Sequence, residues 1–103
     1  MHEGVNIDKD KLIDILSEEL PVLRVKIGLT QGELCELIGI SRQTYSAIET
    51  KKRKMSWNVF LSLLMFFTQN DVTAPIIDEI GAFPEELKQA MNVDNRVNKE
   101  GKV

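Results

Sequence analysis

An all-α bundle is the fold class this sequence predicts, on three observations. Apolar residues recur at three- and four-residue spacing along most of the chain. β-branched runs are short and do not alternate with polar residues. The periodic stretches are separated by Pro, Gly, Ser and Thr at places where helices start and stop. With 103 residues, 43% of them apolar, the chain can build one core and is too apolar for a disordered polymer.

Leu12, Leu16 and Leu20 stand four apart with Ile13 and Ile15 beside them, which predicts a first helix over about residues 8–19. Pro21 is expected to break it, because proline is tolerated in a first turn but not in an interior. A fresh helix then starts near Pro21, turns Leu23 and Ile27 inward and stops at Gly28. Thr30-Gln31-Gly32-Glu33 reads as a capping box opening a helix that buries Leu34, Leu37 and Ile38 and ends at Gly39. Ser41 caps the next helix, whose inward face holds Tyr45 and Ile48. Lys51-Lys52-Arg53-Lys54 forms a basic loop, and Ser56 caps a helix reaching about Gln69. Thr73 and Pro75 mark another start, Gly81 its stop, and Pro84 opens a short helix to about Met91. A polar tail follows.

Composition narrows the function classes. Cys35 is the only cysteine, and with His2 it cannot complete a four-ligand zinc site, so neither a disulfide nor a metal is expected. Cys35 reads as a small buried residue, with a redox sensor as the alternative. The polar N-terminus and a longest apolar run of only Val59 to Phe67 predict no leader and no membrane span. A soluble, cytoplasmic protein is expected. Ser17, Ser41, Ser46, Ser56 and Ser62 have only His2 as a conceivable base, and no glycine-rich phosphate loop is present, so neither catalysis nor a cofactor is expected. Net charge is −3, but it is unevenly spread. Residues 24–54 carry seven basic and three acidic residues, a net of +4, while the remainder carries six against thirteen, a net of −7. A basic patch on an acidic body is an electrostatic footprint for phosphate.

The informative segment is Thr30 to Glu49, two short helices joined by a tight turn at Gly39. Apolar Leu34, Ile38, Ile40, Tyr45 and Ile48 pack the pair, leaving Arg42, Gln43, Ser46 and Ala47 on a free face of the second helix. A helix offered this way fits the DNA major groove. Arg24, Gly28, Leu29-Thr30-Gln31-x-Glu33-Leu34, Gly39-Ile40-Ser41 and Ile48-Glu49 together resemble the phage-repressor/Cro-type (Xre-like) helix-turn-helix family, over about residues 21–67.

The resemblance implies a lambda-repressor-like helical bundle that binds operators as a dimer, here with an extra N-terminal helix and C-terminal helices. It implies base reading by Arg42, Gln43, Ser46 and Ala47. It implies phosphate contacts from Gln31, Ser41, Thr44 and the loop of Lys51, Lys52, Arg53 and Lys54, and a structural ion pair between Arg24 and Glu49. Tyr45 stands where the family usually has an aliphatic residue and is expected in the core, its hydroxyl reaching the surface or a phosphate. The domains expected are an N-terminal helical extension at 1–20, a DNA-binding unit at 21–69, a dimerising C-terminal extension at 70–93 and a tail at 94–103. The helix holding Trp57, Val59, Phe60, Leu61, Leu63, Leu64, Met65, Phe66 and Phe67 is apolar nearly all round, so it is expected to be covered all round, in part by a second copy of the chain. The function implied is a transcriptional repressor on duplex DNA. The rival is an antitoxin-like or co-regulatory protein that uses its apolar C-terminal half to bind another protein.

Overall fold

Helix starts are where local chemistry acts first, and here Asp8, Thr30, Ser41 and Ser56 each accept a hydrogen bond from the amide three residues on, at 3.0–3.2 Å. In the computed structural model, which describes residues 7–92, six helices follow one another and the described residues contain no strand. They are α1 (Lys9–Lys26), α2 (Gln31–Ile38), α3 (Arg42–Glu49), α4 (Trp57–Gln69), α5 (Ala74–Ile80) and α6 (Glu85–Ala90). The capping box is complete, since Glu33 Oε1 also accepts from the Thr30 amide at 2.9 Å. His2 and the polar tail lie outside the described residues.

The break expected at Pro21 is absent: α1 runs through it as one helix, so the N-terminal extension continues the helix that holds Arg24. An interior proline costs about 3 kcal/mol. Leu16, Leu20 and Leu23, on either side of it, are fully buried on one face. Each stabilises by about 1.5–3 kcal/mol, which outweighs the proline. α1 ends in a Schellman turn, with the amides of Gly28 and Leu29 bonded to the carbonyls of Val25 and Arg24. Gly28 takes φ +72° there, which a side chain would resist.

α1, α2, α3 and α4 pack around Leu16, Leu20, Leu23, Leu34, Tyr45, Ile48, Phe60 and Leu63, all at most 1% exposed. α5 lies on α4 through Ile77, and the buried Thr73 donates its hydroxyl to the Phe67 carbonyl at 2.7 Å rather than capping α5. One expectation about burial changes, and a second is met only in part within one chain. On α2 the buried pair is Leu34 and Cys35, while Leu37 is 63% exposed, because the core lies one residue round the helix from the stripe expected. On α4 only Phe60, Leu63, Leu64 and Phe67 are fully covered, an ordinary i, i+3, i+4, i+7 stripe. Trp57 stacks on Phe60 at 4.8 Å under the Lys9 ammonium, and Met65 stands 68% exposed. Within one chain α4 thus keeps an uncovered side at Met65. Among the described residues no helix is long and apolar enough to cross a membrane.

Candidate nucleic-acid interface

The turn between α2 and α3 is made by Gly39 at φ +80°, its amide bonded to the Cys35 carbonyl at 2.8 Å. A left-handed residue at this point lets the chain reverse in two residues. Ser41 then caps α3 and also donates its hydroxyl to Thr44 Oγ1 at 2.9 Å. Tyr45 and Ile48 pin the inner face of α3 to the core. Arg42 and Gln43 stand exposed on its outer side, with Ser46 and Ala47 half-buried beside them. Thus the four residues expected to read bases share the uncovered side of one short helix. Arg42 does not point straight out: its Cδ lies 3.7 Å from where a Cβ on Gly32 would stand, so its stem crosses the first turn of α2.

What holds α3 in place is a buried carboxylate. Glu49, 7% exposed, receives the Arg24 guanidinium on both oxygens, Nε to Oε2 at 2.9 Å and Nη2 to Oε1 at 3.2 Å. Tyr45 donates its hydroxyl to Oε2 at 2.7 Å, and Gln31 donates Nε2 to Oε1 at 2.7 Å. Arg24 spends a further donor, Nη1, on the Leu29 carbonyl at 2.9 Å. Four donors saturate the carboxylate, and they come from α1, α2 and α3 itself. Burial alone would raise the pKa of Glu49, but the hydrogen bonds from Arg24, Tyr45 and Gln31 reverse that and hold it below the ordinary carboxylate value. Tyr45 moves the other way: burial and the bond to Glu49 push its phenol above the ordinary value.

This hub corrects one sequence expectation and bears on another. The Tyr45 hydroxyl does not reach the surface, because it is satisfied by Glu49 inside. Gln31, expected at a phosphate, commits an amide proton to Glu49 and keeps one other. The spacing of four between Tyr45 and Glu49 on one helix was a readable signal for the first contact. No local signal marks the second. Cys35 is 4% exposed, its Sγ 3.8 Å from the Ser41 carbonyl, and burial pushes its thiol above the ordinary value. That environment suits packing and is the opposite of what activates a thiolate.

The basic loop follows directly. The amides of Lys51, Lys52 and Arg53 fold back onto the carbonyls of Ile48 and Ala47, and buried Met55 anchors the loop below. Four cations are thus set at the C-terminus of α3, where positive charge is favourable. Lys51 pairs with Glu18, and Lys54 lies 3.6 and 3.5 Å from Asp10 and Asp14. Lys52 and Arg53 are exposed and make no ion pair among the described residues. Lys51 occupies φ +66°, a left-handed conformation that a Cβ disfavours by about 1–2 kcal/mol. Lys51→Gly is therefore expected to raise thermal stability by about 1 kcal/mol after loss of its exposed ion pair. A lower melting temperature in that variant would show that the Glu18 contact outweighs the backbone strain.

Residues 23–56 match a family model described as helix-turn-helix. No curated protein and no solved structure matches the chain. The matched stretch runs from buried Leu23 at the end of α1 to the cap of α4, and so contains the whole Glu49 hub, the free face of α3 and the basic loop.

Proposed function

Residues 23–56 are a helix-turn-helix domain of the Xre, lambda-repressor-like family, and on that premise we propose that this DNA-binding regulator is a sequence-specific, cytoplasmic repressor that reads a pseudo-palindromic operator. The observation that carries the reading is the free side of α3 next to Lys52 and Arg53, exposed cations without an ion pair among the described residues, on a helix locked in place by Glu49. In this reading α3 enters the major groove. Arg42 bonds guanine O6/N7, Gln43 bonds adenine N6/N7, Ser46 bonds a base edge, and the Ala47 methyl meets a thymine methyl. Ser41, Thr44, Gln31, Lys52 and Arg53 hold phosphates and set register without reading sequence.

Lys52→Ala is then expected to weaken binding to all duplexes alike and to reduce the slope of log K against log salt by about one unit. Equal loss on every sequence with no change in slope would remove Lys52 from the phosphate contacts.

A dimer is part of the proposal. Met65, Val72 and Met91 leave apolar surface uncovered on the C-terminal half, at 68%, 53% and 52% exposed. Two copies would place half-sites about 34–36 Å apart or a multiple of that. Selection of binding sites from random duplex DNA at physiological salt tests both parts. Enrichment of a turn-spaced pseudo-palindrome is the expected result, with light scattering giving a dimer at micromolar concentration. A folded protein that enriches nothing would favour the second reading, an antitoxin-like partner protein, which the exposure of Leu37 and Met65 supports.

A further inference from the structure

We propose that an acidic ladder on α1, formed by Asp10, Asp14 and Glu18, competes with DNA phosphate for half of the basic loop and so sets how strongly the protein grips the DNA backbone. The inference rests on the DNA-binding reading above. The three acids stand at spacings of four and share one face of α1. All of them precede the stretch matched by the helix-turn-helix family model. Across a hollow lined by Asp14, Ser17, Glu18, Lys51, Arg53 and Lys54 they meet the loop after the recognition helix. Lys54 Nζ lies 3.6 Å from Asp10 and 3.5 Å from Asp14, and Lys51 Nζ pairs with Glu18. Lys52 and Arg53, between them in sequence, pair with no acid among the described residues.

The loop's four cations are therefore divided. Two are available to phosphate, and two are already neutralised by the protein's own helix. The division is reversible for a physical reason. Every partner is well exposed, from 49% for Lys51 to 82% for Asp10. Exposed ion pairs are weak and exchange their partners readily, whereas a buried pair would lock the lysine away. A phosphate arriving at Lys51 or Lys54 competes with a carboxylate for the ammonium and approaches three negative charges inside one Debye length, about 8 Å at physiological salt. Each displacement removes part of the counterion-release gain that a free lysine would give.

The test uses the full chain and one random-sequence duplex over a salt series. The triple variant Asp10→Asn, Asp14→Asn, Glu18→Gln is expected to bind three- to tenfold tighter at physiological salt, with a salt slope steeper by about one to two units. A control with the same charge change on α5 and the turn before it, Asp71→Asn, Asp78→Asn, Glu79→Gln, is expected to shift affinity less than about twofold at that salt, because none of these acids pairs with a loop cation among the described residues. Lys54→Ala should change binding less than about twofold beside the native ladder and several-fold beside the neutralised one, because only then is Lys54 free for phosphate. This coupling is read within folded proteins, so it holds even if one variant is less stable. A triple variant no tighter than the control, or a Lys54→Ala effect equal in both backgrounds, would overturn the ladder's role. Absence of duplex binding by every variant would overturn the DNA-binding reading, and this inference with it.

Discussion

Arg24→Ala is expected to lower the melting temperature by at least about 12 °C in the absence of DNA. Arg24 is 17% exposed and Glu49 7%, so truncation strands a buried carboxylate with only Tyr45 and Gln31 as donors. Breaking a buried pair by removing one partner costs about 3–5 kcal/mol, and each kcal/mol shifts the midpoint of a domain this size by about 4–8 °C. The Leu29 carbonyl loses its donor in the same step, which loosens the connection between α1 and α2. The hub also predicts a pH dependence. Glu49 has its pKa depressed in the fold, so its contribution is complete above the unfolded value of about 4.3 and is lost as pH falls through the depressed folded value. Tyr45, whose pKa is raised, contributes fully below about pH 10 and loses its contribution as pH rises further. Glu49→Gln should therefore be less stable near neutrality and show a shallower loss of stability in acid than the native protein. Thermal melts from pH 7 down to pH 3 measure both. A midpoint unchanged in Arg24→Ala would remove the hub from the account of stability.

Arg42→Ala is expected to cost about 1–3 kcal/mol at the preferred site and to relax preference at one base pair, while random duplex loses much less. The position of the Arg42 stem across Gly32 makes this a discriminating measurement. A guanidinium that swings into the groove reads a base. One that stays over the first turn of α2 meets a phosphate and costs affinity on every sequence alike, with a slope shallower by about one unit. Comparing Arg42→Ala with Lys52→Ala on selected and random duplexes separates the roles. The base-reading assignment fails if the two variants lose specificity equally.

The helices themselves were legible because their signals are short-range. Thr30 and Glu33, Ser41 with Thr44, and Ser56 with Val59 satisfy one another within a single turn, so residue type and spacing suffice. The leucines of α1 and the glycines at positions 28, 39 and 81 carry the same kind of local information. Pro21 misled because a local cost was overruled by burial on both sides of it. Leu37 misled because Leu34, Leu37 and Ile38 and the observed Leu34, Cys35 and Ile38 both satisfy a helical stripe on eight residues. Only the direction of the core separates the two.

The candidate interface divides in the same way. The sequence by itself determined the all-helical class, the two helices around Gly39, and an outer side of α3 bearing Arg42, Gln43, Ser46 and Ala47, because capping and periodicity act over three or four residues. The tertiary structure alone decided that Gln31 joins Arg24 at Glu49 and that the α1 acids occupy Lys51 and Lys54. Those partners lie on separate helices or at opposite ends of a loop. Their meeting depends on how hydrophobic burial docks one helix against another, which no local spacing encodes.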